Sequence, residues 1–214
     1  MNIEIAILDY GVGNLCSLAR AFDRHPLGQL RIKVTANPRD LRRCDLLVLP
    51  GVGSFHQAMA NIEKQRLIDL LNELALTAKK PTLGICLGMQ LFFEHSFEGG
   101  CQNGLGWMQG RVTRLPIREN YKVPQIGWNR VVTSRTFLKS SLHNVPFYFV
   151  HSYRVECSDQ FVLGTAEYGD QVVAAVKHKN LLGFQFHPEK SGCHGQNLIA
   201  ETVNWALRRR EGIS

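Results

Sequence analysis

The sequence predicts an α/β protein: one domain with a mixed, mostly parallel sheet flanked by helices. Three observations predict it. Short apolar runs at Ile3–Leu8, Leu46–Leu49 and Thr82–Ile85 alternate with longer helix-like stretches, the pattern of parallel strands covered by helices. The second half changes to closely spaced β-rich runs, Phe147–Val150, Phe161–Thr165, Val172–Val176 and Leu181–Phe186, which read as partly antiparallel. The 214 residues are 44% apolar and show no repeat, linker or composition break, so residues 1–214 read as one domain with one sizeable core.

Ile3–Leu8 reads as a buried strand that ends at Asp9. Gly11-Val12-Gly13-Asn14 then turns the chain into a helix reaching Arg24. Leu46–Leu49 is a second buried strand, stopped by Pro50-Gly51. Ser54 and Gln57 have capping-box spacing, with Ser54 as the cap and Gln57 reaching back. Helical sequence continues to Lys79 with a break near Glu63, and Pro81 ends it. Thr82–Ile85 is the third strand, and a helix is expected over Met89–Glu94. The last helix is expected over Asn197–Arg210, with Ile199, Val203, Ala206 and Leu207 on one face.

Composition excludes several classes. No apolar run approaches the ~18 residues of a membrane helix, and Met1-Asn2-Ile3-Glu4 lacks the basic start of a secretory signal. A cytoplasmic protein is expected, with no membrane contact. Its six cysteines are scattered without a C-x-x-C pair, so they read as reduced thiols and not as a disulfide or zinc framework. Lys and Arg exceed Asp and Glu by seven, partly in clusters at Arg39, Arg42 and Arg43 and at Arg208–Arg210. The excess reads as a solvated surface, because no nucleic-acid module accompanies it and terminal arginines suit the last turn of a helix. Gly11-x-Gly13 and Gly51-x-Gly53 both follow strands, but Cys16 and His56 occupy the third glycine position of a dinucleotide loop. No cofactor or metal is expected.

The strongest local signal is Gly84-Ile85-Cys86-Leu87-Gly88, placed where a strand ends and a helix begins. A G-x-nucleophile-x-G turn lifts its central side chain to the apex of a tight elbow, with glycines where backbones approach too closely for side chains. The helix N-terminus beyond it favours a thiolate at Cys86, and the Leu87 amide points toward a developing oxyanion. At this chain's composition the motif arises by chance in roughly 5% of sequences, so the strand-to-helix context matters. A cysteine nucleophile needs a base and an orienting group. His187-Pro188-Glu189 supplies both: residues two apart in extended chain share a side, so Glu189 can hold the His187 imidazole. Pro50-Gly51-Val52-Gly53 follows another strand, and Val52 or Gly53 is the candidate second oxyanion donor.

These pieces, with Met89-Gln90 after the elbow, resemble the class I, triad-type glutamine amidotransferases in kind and order. Within that family the chain is similar to the glutaminase subunits of imidazole glycerol phosphate synthase. Asp9-Tyr10-Gly11-Val12-Gly13-Asn14, Gly127-Trp128-Asn129, Tyr148–Tyr153 and His187–Ser191 carry the narrower likeness. The resemblance implies a flavodoxin-like fold and hydrolysis of L-glutamine to glutamate and ammonia through a thioester on Cys86. It assigns His187 as acid/base and Glu189 as its orienter, and places Gln90, Gly53, Ser152 and Tyr153 at the glutamine. It also implies a heterodimer with a (β/α)₈-barrel cyclase of histidine biosynthesis, with Asn14, Tyr148 and Lys190 at the interface. The residues alone leave two other readings open: a free-standing cysteine hydrolase of the same fold, and a non-catalytic module that retains it.

Overall fold

A computed structural model of the chain describes residues 3–24, 30–133 and 135–210. Residues 1–2, 25–29, 134 and 211–214 of the expected domain lie outside the described residues. The first half runs β1 (Ile3–Leu8), α1 (Leu15–Asp23), β2 (Leu30–Thr35), α2 (Pro38–Arg43), β3 (Leu46–Leu49), α3 (Phe55–Lys64), α4 (Ile68–Asn72), a π-helical turn (Glu73–Thr77), β4 (Thr82–Ile85) and α5 (Leu87–Gln90). The second half runs β5 (Phe93–Ser96), β6 (Gln102–Asn103), β7 (Met108–Arg114), β8 (Gln125–Val132), α6 (Lys139–Leu142), β9 (Val145–His151), β10 (Tyr153–Cys157), β11 (Val162–Tyr168), β12 (Asp170–His178), β13 (Leu181–Phe184), a 3-10 turn (Pro188–Lys190) and α7 (Gly192–Arg210).

Nine strands form the main sheet in the order β2-β1-β3-β4-β13-β12-β11-β8-β9. The first five are parallel and follow the flavodoxin-like order, with β13 as the fifth strand. The remaining ladders are antiparallel. Parallel pairing therefore makes up half of the eight ladders and not most of them. The reason is connection length: β11 meets β12 through Gly169, and β12 meets β13 through Lys179-Asn180, and turns this short join only antiparallel neighbours.

The central strands are apolar throughout because both faces are covered. In β3, Leu46 and Val48 enter a core with Phe22, Phe184, Leu198 and Val203, beneath α1 and α7. Leu47 and Leu49 enter the opposite core with Phe55, Ile62 and Trp107. That second core is closed by a four-stranded sheet, β10-β7-β5-β6, which the sequence pattern does not foretell. Phe92, Phe93, Phe184 and Phe186 are wholly buried, and each such side chain contributes about 1.5–3 kcal/mol. Among the described residues no helix is long and apolar enough to cross a membrane.

Local signals explain the helix ends. Asn14 Oδ1 accepts the Ser17 amide at 3.2 Å and caps α1, and Ser54 Oγ accepts the Gln57 amide at 3.2 Å and caps α3. The return half of the expected capping box is absent, since the Gln57 side-chain amide donates forward to Asn61 Oδ1 at 2.7 Å. Glu98 arrives from a distant loop and accepts the Phe55 amide at 2.7 Å instead. The long helical stretch breaks after Lys64, close to where Glu63 suggested, with Arg66 at φ 56°. The helix expected over Met89–Glu94 is corrected: α5 stops at Gln90, and Phe93 and Glu94 belong to β5. Burial of Phe93 against β7 outweighs local helix preference there.

Glycines set the distance between the β4–α5 elbow and the end of β3. A Cβ on Gly84 would lie 2.6 Å from the Gly88 carbonyl oxygen, and one on Gly88 would overlap the Leu49 carbonyl. A side chain at either position forces the backbones apart. Gly88→Ala should therefore cost about 3 kcal/mol or more. Gly99→Ala, where φ is +70° but a Cβ meets nothing, should cost only about 1–2 kcal/mol. Urea unfolding of both variants measures the difference, and equal losses would show that the elbow is not tightly packed.

Candidate active site

Cys86 stands at the apex of that elbow with φ 53° and ψ −110°, a conformation costly for a residue with a side chain. Backbone bonds hold it there: its N–H donates to Phe184 O at 2.6 Å, and its carbonyl accepts from Met89 and Gln90. The residue is buried, with its sulfur facing the Val150 carbonyl at 3.9 Å. Gln185 Nε2 donates toward the same sulfur at 3.6 Å. α5 starts at Leu87, so the first amides of that helix have no acceptor within it and face the apex.

His187 follows β13 and reaches the same place. The His187 and Glu189 side chains are only 2% and 7% exposed. Nδ1 of His187 and Oε1 of Glu189 lie 2.7 Å apart. The expected pairing is present, although not by strand alternation: His187 is extended and Pro188–Lys190 form a 3-10 turn that swings the carboxylate back. The turn is tied to β9, because the His187 amide donates to Tyr148 O at 2.9 Å and Ser191 Oγ accepts the Tyr148 amide at 3.0 Å. It is also tied to α7, where a Cβ on Gly195 would overlap the Pro188 carbonyl.

Burial disfavours the imidazolium, but Cys86 and Glu189 together outweigh it and push the His187 pKa up to about 10. Nε2 of His187 is buried without a hydrogen-bond partner and is left for a reacting group. His151, next along the wall, behaves oppositely. Burial, only partly offset by the Tyr153 carbonyl, lowers its pKa to about 4, so it stays neutral, with Nδ1–H donating to Tyr153 O and Nε2 accepting from the Gln125 side-chain amide, turned to present its NH₂.

A cavity of about 370 Å³ opens over Cys86. Val52, Gly53, Leu87, Gln90, Ser152 and Tyr153 line it, so the expected oxyanion and substrate residues converge. The two loop glycines differ in purpose. Gly51 presses on Leu87 and on the Gly88 amide, leaving no room for a side chain, whereas Gly53 has open space but φ +110°. The Tyr10 hydroxyl donates to the Pro50 carbonyl and fixes the start of the loop. Of the expected interface residues, Lys190 Nζ stands 5.9 Å over the Tyr148 ring, at the cavity mouth. Asn14 is the α1 cap, and the preceding Gly13 lies against Pro50.

Sequence reasoning missed two lining or neighbouring groups. Gln185 is fully buried and links Gln90 Nε2, at 3.0 Å, to the Cys86 sulfur. Its position two residues before His187 in an extended run was the available signal. Glu98 lines the cavity, and nothing in Phe97-Glu98-Gly99-Gly100 marked it.

The chain belongs to the class-I glutamine amidotransferase family, whose sequence pattern matches residues 6–204. Within it, the chain is 41% identical over 217 aligned residues to imidazole glycerol phosphate synthase subunit HisH 2 of Vibrio vulnificus, covering 99% of both chains. It is 44% identical over 201 residues to subunit HisH 1 of Campylobacter jejuni, covering 93% of this chain and 98% of that one. In three dimensions it resembles a chain of the PurLQS structure from Thermotoga maritima, with a TM-score of 0.71 at 15% identity and coverage of 99% and 100%. That likeness is one of fold.

The raised pKa has a testable sign. Folding lifts His187 above the ~6.5 of a free imidazole, so the cation contributes stability that is full below that value and lost as pH rises through about 10. NMR of the ring should find His187 still protonated at about pH 8. Cys86→Ala and Glu189→Gln should each lower its pKa. A neutral ring near pH 7 in the unmodified chain would contradict the ion pair.

Proposed function

We propose that this chain is the cytoplasmic glutaminase subunit of a two-subunit imidazole glycerol phosphate synthase. It hydrolyses L-glutamine and passes the ammonia to a (β/α)₈-barrel cyclase, which makes imidazole glycerol phosphate and aminoimidazole carboxamide ribotide in histidine biosynthesis. The observation that carries the reading is the buried Cys86–His187–Glu189 constellation at a cavity that Cys86 lines. The names of the full-length relatives support the narrower assignment.

In this reading the Cys86 thiolate attacks the side-chain amide carbon of glutamine. The amides of Leu87 and of the Val52–Gly53 peptide receive the oxyanion. Imidazolium His187 gives its Nε2 proton to the leaving nitrogen, and ammonia departs from the thioester. His187, now neutral, takes a proton from water as that water attacks, and glutamate leaves with the thiolate restored. Glu189 orients the ring through Nδ1 and stabilises the cation. Glu98 suits the α-ammonium of glutamine, while Gln90, Gly53, Ser152 and Tyr153 hold its remaining polar groups. No cofactor or metal takes part in this sequence.

The cyclase would cover the face beside the cavity mouth. Ile126 and Trp128 on β8 are 61% and 57% exposed, and the Trp128 ring meets Tyr148 at 6.1 Å. Tyr148 leads to Lys190, and Asn14 completes the proposed contact set. A covered mouth keeps ammonia from being protonated in bulk water.

Cys86→Ala should abolish glutaminase turnover while leaving the fold intact, and a glutamine-mimicking electrophile should label Cys86 alone among the six cysteines. His187→Ala should lower kcat by several orders of magnitude, and Glu189→Gln by ~10²–10⁴-fold. A label mapped to Cys16 or Cys193, or unchanged kcat in Glu189→Gln, would reject these roles.

The loop also favours control by the partner. Tyr10 and the elbow pin Pro50-Gly51, but Val52 is 38% exposed and Gly53 has open space around it. The Val52–Gly53 peptide is therefore the segment able to turn. One oxyanion donor is worth ~10²–10³-fold in rate, so the isolated chain should be slower than the complex with its nucleotide ligand by about that factor. Steady-state kinetics on the chain, the complex and the liganded complex test this; equal kcat in all three would favour a free-standing hydrolase.

A further inference from the structure

The end of the main sheet remote from Cys86 holds an unusual concentration of positive charge. Lys177 and His178 close β12, and their register partners Leu182 and Leu181 lie at the start of β13. Phe184, at the other end of β13, is the residue bonded to Cys86. A cavity of about 380 Å³ opens at this remote end. Arg135, Lys177, His178 and Lys179 line it, and among the described residues no carboxylate does.

Several cations elsewhere are neutralised by acidic neighbours: Arg31, Lys33, Arg42, Arg111, Arg118 and Arg154 all make ion pairs. Arg135, Lys177 and Lys179 make none among the described residues. Nη2 of Arg135 donates to the Asp159 carbonyl at 3.1 Å, which fixes the guanidinium without discharging it. Lys177 is half-buried, with its ammonium 4.7 Å over the Phe137 ring. Burial and the nearby Arg209 charge hold its pKa below the ordinary lysine value. Like charges are thus gathered around a concave space whose other lining includes Phe137 and Phe161.

We propose that this cavity is a second binding site, for a small organic phosphate. A guanidinium fork beside two ammonium groups matches phosphate oxygens. The volume suits a metabolite-sized ligand, and Phe137 and Phe161 add apolar wall beside the cations. The cations converge on a pocket instead of forming a stripe, which favours a small anion over a nucleic-acid strand.

The test is titration of the full chain with a nucleoside monophosphate, with pyrophosphate and with inorganic phosphate, followed by calorimetry and by NMR of the His178 ring. Saturable one-site binding is expected, with a shift of the His178 resonances. Arg135→Gln and Lys177→Gln should each weaken it about 10-fold or more, and Arg39→Gln, in another cluster, should not. Tighter binding of the nucleoside monophosphate than of inorganic phosphate supports the organic ligand. Inorganic phosphate binding as tightly as the monophosphate would overturn that assignment. Absence of saturable binding, or equal affinity in both variants and the unmodified chain, would overturn the site. Circular dichroism confirms folding; should Lys177→Gln unfold, Arg135→Gln, at an exposed position, decides the matter.

Discussion

Close packing of the β4–α5 elbow on the end of β3 is the constraint on which the functional site depends. Three glycines permit it, each because a neighbouring backbone occupies the space of a side chain. The approach puts Leu87 against Gly51, so Cys86 and the Pro50–Gly53 loop are positioned by one contact and not by two independent loops. It also holds Cys86 at positive φ. Such a conformation persists only where its surroundings over-determine it. The short bond from the Cys86 amide to Phe184, the two bonds to its carbonyl and the carbonyl of Leu49 do so here.

The second requirement is electrostatic. An imidazolium with a 2% exposed side chain is unfavourable unless partners compensate for lost water. Glu189 supplies one partner through Nδ1 and Cys86 the other, and their joint effect exceeds the burial penalty. The same wall holds His151 neutral, since burial, helped by the nearby His187 charge, outweighs the Tyr153 carbonyl, and among the described residues no carboxylate faces its ring. Two buried histidines thus carry opposite protonation because of what each ring faces.

How much of this was legible in the sequence follows from the range of each interaction. The elbow, the His187–Glu189 pair and the parallel strands β1, β3 and β4 are written in residues a few positions apart, where glycine spacing and apolar runs report directly on geometry. The four-stranded sheet was not legible, because β5 pairs with β7 and β7 with β10 across long separations. Leu91-Phe92-Phe93 looks equally apolar as helix or strand, and only the distant partner decides. Glu98 escaped for a similar reason: its work is to cap α3 from 43 residues away and to line the cavity. β2 did carry period-two alternation, with Arg31 and Lys33 between Leu30, Ile32 and Val34, but its charges and half-exposed edge position obscured it.

The division of the main sheet gives these details a common logic. Its parallel half presents strand ends in one direction and supplies the elbow and the Pro50–Gly53 loop, as open α/β sheets place ligands beyond the carboxyl ends of their strands. Its antiparallel half brings β9 back beside the site, so Tyr148 anchors the turn that carries His187 and Glu189. β13 belongs to both halves: parallel to β4 on one side, antiparallel to β12 on the other. One strand and the residues just after it therefore deliver Phe184 to brace Cys86, Gln185 to reach its sulfur and His187 beside it. His187 and Cys86 are held in register by adjacent hydrogen-bonded strands, while the exposed β8–β9 surface is left to the edge of the sheet.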